Sequence, residues 1–289
     1  MKATSLSINI QGPCDAQCPY CIARETWKTG MRGTRLTMSA LDKAYRYAKW
    51  HGVDTVLVTG SGEPTERFEA AIGAIRTAEE YGFPCIEMQT NGYNLWADTD
   101  KLARLVQKGL TTLSISISHP DPKISAEMVK LPSDYNYMDL IRQANDLGLM
   151  VRVSLNLSKG VFPSGKVRDG YMAWLPEFAK TIKAAGAHQL TLRELGMPTG
   201  ADESHKTVQW WKANRTTDEQ MDAVVTVVTW GRNQLRKLSY GNMVYQFEGL
   251  GTTISTCMTD TTNPDEIRSL ILQPDGHLYH TWGEGSILV

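Results

Sequence analysis

Apolar and polar residues alternate at the start of the chain, where Leu6, Ile8 and Ile10 share one side of an extended segment. Short apolar runs return at residues 54–58, 85–89, 112–117, 150–157 and 189–194. The stretches between them have helical periodicity, which predicts helices over residues 40–50, 66–81, 100–108, 137–147 and 175–185. The pattern therefore predicts six strands that alternate with helices.

Several of the short connections between these elements end in glycine, which is typical of a parallel sheet with right-handed crossovers. We predict an α/β fold over residues 1–200, a partial (β/α)6 TIM-like barrel with its active site where the strands end. Residues 201–289 differ in character, with a polar loop at 200–216, a helix over 218–238 and short strand-like pieces. We expect this C-terminal extension to close the barrel mouth and to contribute to the substrate site.

The composition sets few limits on function. Lys plus Arg (30) nearly equals Asp plus Glu (31), so the net charge does not favour binding to nucleic acid or to an anionic membrane. A local basic groove is still compatible with this composition. No window approaches the roughly eighteen apolar residues of a membrane span, and we expect a cytoplasmic protein. Five cysteines, three of them crowded together, do not resemble a secreted disulfide framework and suit a reducing compartment.

Three cysteines follow the first strand with the spacing C-x3-C-x2-C, namely Cys14, Cys18 and Cys21. Thiolates at this spacing can converge on one soft metal centre, as they do in iron–sulfur clusters. A structural zinc site is the alternative, but such a site closes with four protein ligands and no fourth cysteine or histidine lies nearby. Three ligands leave one coordination position open.

The second strand runs into a glycine-rich turn at residues 59–65, with the sequence TGSGEPT. Glycines let the backbone approach a ligand closely and direct its amide and carbonyl groups toward it. Glu63 can fix the turn by accepting backbone hydrogen bonds. An ordinary strand-to-helix loop is the alternative interpretation, and the pairing with the cysteine motif favours the ligand-binding one.

Both motifs resemble signatures of the radical S-adenosylmethionine superfamily. The cysteine spacing, with Tyr20 before the last cysteine, is similar to that superfamily's cluster motif, and GSGEP is similar to its GGEP motif. The stretches QTNG, SISIS, RELGMPTG and PDGHLY resemble the GTP 3′,8-cyclase-like branch of molybdenum cofactor biosynthesis. Members of that branch bind a second C-terminal cluster through three further cysteines, whereas Cys257 is the only cysteine after residue 200 here. We therefore expect a single cluster.

The resemblance implies that Cys14, Cys18 and Cys21 bind a 4Fe-4S cluster whose fourth iron receives S-adenosylmethionine. It further implies reductive cleavage to a 5′-deoxyadenosyl radical, which abstracts hydrogen from a small-molecule or nucleotide substrate, as an oxidoreductase or lyase. The electron would come from a donor such as flavodoxin or ferredoxin. Two other functions stay open: a cluster-binding regulatory or redox-sensing protein without turnover, and a peptide-modifying radical enzyme.

The resemblance also implies a set of residues that contact S-adenosylmethionine, drawn from the cysteine loop, the glycine turn and the strand ends. These cofactor-binding candidates are Tyr20, Gly60, Ser61, Gly62, Glu63, Pro64, Asn91, Ser116, Ser118, Ser154, Asn156 and Glu194. The short polar side chains on alternate strand positions have a second interpretation, in which they only satisfy hydrogen bonds inside the barrel.

Two further features are candidates for contact with the substrate. Cys257 is the catalytic candidate, because a thiol at the mouth can return a hydrogen atom to a substrate radical, although cysteine commonly behaves as a small buried hydrophobe. Trp210 and Trp211 stand close to Lys212 and Arg215, an arrangement that can stack a nucleotide base. A hydrophobic patch with a polar rim is the alternative, and nucleic acid stays open as a partner.

Overall fold

A computed structural model of the protein describes residues 2–23, 36–162, 170–197, 201–231, 233–238, 241–255, 266–282 and 288. The strands are β1 Lys2–Gln11, β2 Thr55–Ser61, β3 Cys85–Thr90, β4 Thr112–Ile117, β5 Met150–Leu157, β6 Gln189–Glu194, β7 Gln234–Lys237, β8 Met243–Phe247, β9 Leu250–Ser255, β10 Glu266–Leu272 and β11 Leu278–Tyr279. The α-helices are α1 Met38–Trp50, α2 Phe68–Glu80, α3 Tyr93–Ala97, α4 Thr99–Gln107, α5 Pro122–Val129, α6 Tyr137–Asp146, α7 Gly170–Ala184, α8 Lys206–Asn214 and α9 Asp218–Thr229. Two short 3₁₀ helices span Pro64–Arg67 and Lys159–Val161.

The chain divides into two compact units. The first contains Met1–Ala16, Ala23–Ser114 and Thr259–Val289, and the second contains Gln17–Ile22 and Ile115–Met258. The residues of β4 are shared between the units, and no helix of the described residues is long and apolar enough to cross a membrane.

The first unit is built on a sheet with the strand order β11-β10-β1-β2-β3. β10, β1, β2 and β3 run parallel, and β11 is antiparallel to β10. Leu6 and Ile8 of β1 are fully buried in its core. α1 begins at Thr37, whose hydroxyl accepts from Ala40 N at 3.2 Å, and it is joined to α2 by the Tyr45 hydroxyl, which donates to Ala74 O at 2.8 Å.

The second unit is built on the strand order β5-β6-β9-β8-β7. β5, β6 and β9 run parallel, and β8 and β7 add antiparallel strands. β9 follows residue 200 and lies beside β6 in this unit, and β10 lies beside β1 in the first unit. Strands from the segment predicted as an extension therefore continue the parallel sheets.

The six strands predicted from the apolar pattern are all present, and the predicted α/β fold class is confirmed. The prediction of one helix over residues 218–238 is wrong after Thr229. Trp230 leaves the helical conformation with φ −55 and ψ 125, Gly231 has φ +86, and Gln234–Lys237 pairs with β8 as a strand. The prediction of a loop over 200–216 is also wrong, because α8 begins inside it at His205, whose ring accepts from Thr207 N.

Candidate cluster and cofactor site

The cysteine loop follows β1 directly. Cys14 is exposed, whereas Cys18 and Cys21 are half-buried, and Cys21 N donates to Cys18 O at 3.2 Å in a tight turn. Three thiols within eight residues form the soft donor set that an iron–sulfur cluster requires. No three Cys, His, Asp or Glu side chains of the described residues are already gathered around a possible metal position.

The glycine turn packs against the backbone that leads into Cys14. Gly62 has φ +140, and a Cβ on it would lie 2.2 Å from Gly12 O and 2.7 Å from Pro13 O. A Cβ on Gly60 would lie 2.6 Å from Ile10 O. Real atoms do not approach so closely, so glycine is required at both positions. The turn is joined to the same segment by Glu63 N, which donates to Pro13 O at 2.9 Å.

Glu63 is almost fully buried, and its carboxylate fastens the turn to the end of β3. Oε1 accepts from Thr65 N at 3.0 Å, from the Thr65 hydroxyl at 2.7 Å and from the Thr90 hydroxyl at 2.7 Å. Oε2 accepts from Asn91 N at 2.9 Å. Burial raises the pKa of the Glu63 carboxyl, and these hydrogen bonds oppose the rise. Both oxygens are therefore used inside the protein, which makes Glu63 a positioning residue for the turn.

Asn91 connects the end of β3 to the cysteine loop. Its Nδ2 donates to Asp15 Oδ1 at 2.6 Å, and its Oδ1 accepts from Tyr93 N at 3.0 Å. Asp15 comes directly after Cys14, and burial raises the pKa of its carboxyl. Asn91, predicted to contact the cofactor, thus holds the residue that follows the first cysteine.

Ser61 is bonded to an asparagine that sequence reasoning missed. Its backbone N and its hydroxyl both donate to Asn9 Oδ1, at 2.7 and 2.9 Å, and Asn9 Nδ2 donates to Gln273 Oε1 at 2.6 Å. Asn9 and Gln273 are buried. The signal was present in β1, because Ser5, Ser7 and Asn9 occupy the strand positions that alternate with its apolar residues.

In the second unit the Tyr20 hydroxyl gathers two other predicted residues. It is hydrogen-bonded to the Ser118 hydroxyl after β4, and Asn156 Nδ2 of β5 donates to it at 3.3 Å. Its ring contacts the Trp210 ring of α8, with 5.6 Å between centroids, and burial raises the pKa of the phenol. Tyr20, Ser118 and Asn156 therefore meet at one place, directly before Cys21.

The remaining candidates are placed as follows. Ser154 of β5 is buried and its hydroxyl has no hydrogen-bond partner among the described residues, whereas Ser116 of β4 is half-buried. Glu194 ends β6 as the Cα partner of Leu157, and Pro64 is buried at the start of its 3₁₀ helix. Cys257 lies outside the described residues.

The tryptophan and cation stretch forms α8 and the connection to α9. Trp211 Nε1 donates to Leu195 O at 2.6 Å, and the Arg215 guanidinium lies 5.5 Å from the Trp211 ring. A cavity of about 340 Å³ opens beside them, and its lining is mainly basic and hydroxylic. The lining residues are Lys159, Lys212, Arg215, Thr216, Thr217 and Asp218.

An α/β fold with parallel strands, a three-cysteine loop after the first strand and a glycine turn after the second define an iron–sulfur enzyme class dependent on S-adenosylmethionine. The chain belongs to the Radical SAM superfamily, whose family profile matches residues 8–160. It is therefore an enzyme that uses a 4Fe-4S cluster and S-adenosylmethionine, and the predicted cofactors are confirmed.

Relatives found by sequence similarity are enzymes of molybdenum cofactor biosynthesis, which confirms the predicted GTP 3′,8-cyclase-like branch. The chain is 25% identical over 171 residues to GTP 3′,8-cyclase of Haemophilus influenzae (strain 86-028NP), covering 59% of this chain and 49% of that one. It is 29% identical over 157 residues to Molybdenum cofactor biosynthesis protein 1 of Mus musculus, covering 54% and 24%. The chain thus spans about half the length of the bacterial cyclase it matches.

Two solved structures share the fold, a partial barrel. Streptococcus suis SuiB bound to S-adenosylmethionine superposes with a TM-score of 0.64 at 16% identity, over 97% of this chain and 60% of that one. Methylornithine synthase (PylB) superposes with a TM-score of 0.51 at 14% identity, over 91% and 76%.

Proposed function

We propose that this protein cleaves S-adenosylmethionine reductively at a single 4Fe-4S cluster held by Cys14, Cys18 and Cys21. The cluster and S-adenosylmethionine, when bound, supply the 5′-deoxyadenosyl radical that takes hydrogen from a small-molecule or nucleotide substrate. The observation that carries this proposal is the close packing of Gly60 and Gly62 against the segment leading into Cys14. A redox-sensing protein would not require a cofactor-binding turn built into its cysteine loop.

The protein's own residues have two tasks in this function. In the first unit, Glu63 and Asn91 hold the turn and the loop with hydrogen bonds, and the backbone groups of residues 60–64 would bind the methionine part of the cofactor. In the second unit, Ser118 and Asn156 orient the hydroxyl of Tyr20, the residue directly before Cys21. The half-buried ring of Tyr20 helps to exclude water, which protects a reactive radical from side reactions.

A nucleotide is the substrate class that we favour. It is supported by the similarity to proteins named GTP 3′,8-cyclase and by the basic cavity beside α8. Lys159, Lys212 and Arg215 supply charges that suit phosphate groups, and the Trp211 ring is the kind of surface on which a base stacks. The cysteine-poor segment after residue 200 supports one cluster and a reaction other than the cyclases' own.

The test measures deuterium transfer from labelled candidate substrates into 5′-deoxyadenosine. The protein is reconstituted anaerobically, and flavodoxin or ferredoxin serves as the reductant. The panel contains nucleoside triphosphates, free nucleosides and amino acids, and short peptides. Transfer from a nucleotide is expected. Transfer from peptides alone would contradict the substrate class, and a full cluster that binds no S-adenosylmethionine would favour a regulatory protein without turnover.

A further inference from the structure

Helix α5 ends in a backbone conformation that the chain gives to glycine at other helix ends. Within two residues of their last helical residue, six other helices reach a glycine with positive φ: Gly52, Gly82, Gly109, Gly148, Gly186 and Gly231. α5 instead ends at Lys130, with φ +57 and ψ +38, and Glu248 is the other non-glycine residue with positive φ among the described residues. A side chain in this region costs free energy that glycine avoids. Lysine is therefore kept here against the backbone preference, which points to a use for its side chain.

The end of α5 lies against the cysteine loop within the second unit. Val129 O, on the last helical residue, accepts from Gln17 N at 2.6 Å, and the Lys130 ammonium donates to Gln17 Oε1 at 3.4 Å. Gln17 directly precedes Cys18, and both Gln17 and Lys130 are exposed. The loop is therefore joined to α5 twice, once through the backbone and once through the lysine side chain that glycine would lack.

Negative charge meets negative charge where α5 joins the loop. The carbonyl end of a helix carries a partial negative charge, and a cluster bound by three thiolates is itself anionic. A cation at a helix carboxyl end offsets the helix dipole. The same cation stabilises a reduced cluster more than an oxidised one, because the reduced cluster carries one more negative charge. The Lys130 ammonium, held on the residue before Cys18, is placed to do both.

We propose that Lys130 is a positioning residue of the cluster site, which places a positive charge beside the cysteine loop and makes the cluster easier to reduce. The proposal rests on the proposed function, since that function assigns a cluster to Cys14, Cys18 and Cys21. It adds a residue outside both sequence motifs that acts on the entry of the electron. Its charge, rather than its effect on folding, is what the site uses.

The experiment compares reconstituted full-length protein with the variants Lys130→Gln, Lys130→Gly and Lys130→Arg. Lys123→Gln is the charge control, because Lys123 is an exposed cation at the other end of α5. Glu248→Gly is the backbone control, since it relieves the same conformation in the turn between β8 and β9. Reduction potentials are measured by spectroscopically monitored redox titration without S-adenosylmethionine. Iron content and the unfolding midpoint are recorded for each variant.

Loss of one exposed charge interaction changes an equilibrium constant roughly two- to fivefold, which is about 20–40 mV for a one-electron couple. We expect Lys130→Gln and Lys130→Gly to shift the potential by this amount to more negative values, with Lys130→Arg and both controls close to the wild type. Lys130→Gly should nevertheless keep or raise the unfolding midpoint, because glycine suits the backbone conformation.

Two results would overturn the proposal while leaving the proposed function intact. One is an equal potential in the wild type, Lys130→Gln and Lys130→Gly, each with a full complement of iron. The other is a shift of the same size in Lys123→Gln, which would mean that any cation of α5 acts alike. A wild type that takes up no iron on reconstitution would refute the proposed function, and this inference with it.

Discussion

Gly62 lies at the closest backbone contact of the glycine turn. Two steric reasons require glycine at this position, its backbone conformation and the lack of space for a Cβ. Its φ of +140 lies where side chains are rarely tolerated, and its Cα faces the carbonyl oxygens of Gly12 and Pro13. A Cβ on Gly62 must push the glycine turn away from the segment that leads into Cys14. The packing of the turn against the cysteine loop therefore requires glycine, which has no Cβ, at position 62.

Gly62→Ala is expected to destabilise the protein by about 2 kcal/mol or more, because the backbone strain and the overlap with Gly12 O add together. Cluster retention should fall with it, since the displaced segment leads into Cys14. The measurement is denaturant unfolding together with iron content after desalting. Gly73→Ala in α2 is the control, because no atom lies within 4 Å of its added Cβ and alanine favours a helix. Equal stability in the two variants would contradict the steric argument.

At the scale of elements, α8 matters because it places Trp210 against Tyr20. The polar character of residues 200–216 suggested a loop, and the cap at His205 was not recognised because histidine is an uncommon capping residue. The contact between Tyr20 and Trp210, which brings α8 to the cysteine loop, joins residues that are far apart in the chain. No local pattern encodes such a pairing.

Trp210→Ala removes the ring contact with Tyr20 and should make the loop segment that carries Cys18 and Cys21 less tightly packed. An aromatic pair contributes about 0.5–1.5 kcal/mol beyond its buried area, so the expected effect is faster cluster loss with a modest change in global stability. The rate of absorbance decay under a chelator measures it. Trp230→Ala is the matched control, because Trp230 is 72% exposed. Identical decay rates for both variants would show that the ring contact does not protect the cluster.

His188 joins the starts of β5 and β6 in both directions. Its backbone N donates to Val151 O at 2.9 Å, and its ring Nδ1 accepts from Val151 N at 3.1 Å. The ring can accept only while neutral, and burial, assisted by the charge of Lys183, lowers the pKa of His188. The folded state therefore binds a proton less readily than the unfolded state does.

The resulting contribution to stability is complete above the unfolded-state pKa of about 6.5 and is lost as the pH falls through the lowered folded-state pKa. His188→Gln keeps an acceptor oxygen and removes the titration. We expect the wild type to lose more unfolding free energy than this variant between pH 7.5 and pH 5.5, as measured by urea denaturation. Parallel pH profiles would rule out the role assigned to the His188 ring.

At the scale of the whole molecule, the strands can be predicted from the sequence because β4, β5 and β6 are short, alternate apolar with polar residues and are bounded by turns. All three match their predicted limits. The helix predicted over 218–238 is wrong after Thr229 because Gly231, with φ +86, follows the apolar run that ends at Trp230, and Leu235 belongs to the antiparallel strand β7. The sequence predicts the site only as far as its motifs, the three cysteines and the glycine turn, because Asn9 acts through Ser61 and Gln273, partners that only the fold brings to it.

The structure adds hydrogen-bond partners to several residues that the resemblance names. Ser118 and Asn156 are predicted to contact the cofactor, and the structure bonds both to the hydroxyl of Tyr20, which is itself a predicted contact. Glu63 was expected to fix its turn, and its four hydrogen bonds do so. Contact of any of these residues with S-adenosylmethionine stays a prediction.

The most direct test of the account is 5′-deoxyadenosine formation from S-adenosylmethionine under reducing, anaerobic conditions, compared between Cys18→Ala and Cys85→Ala. Cys85 is exposed at the start of β3 and lies outside the loop, so its variant controls for loss of a thiol. We predict about four irons per chain and full cleavage in the wild type and in Cys85→Ala, and loss of both in Cys18→Ala. Cleavage retained in Cys18→Ala would contradict the central claim.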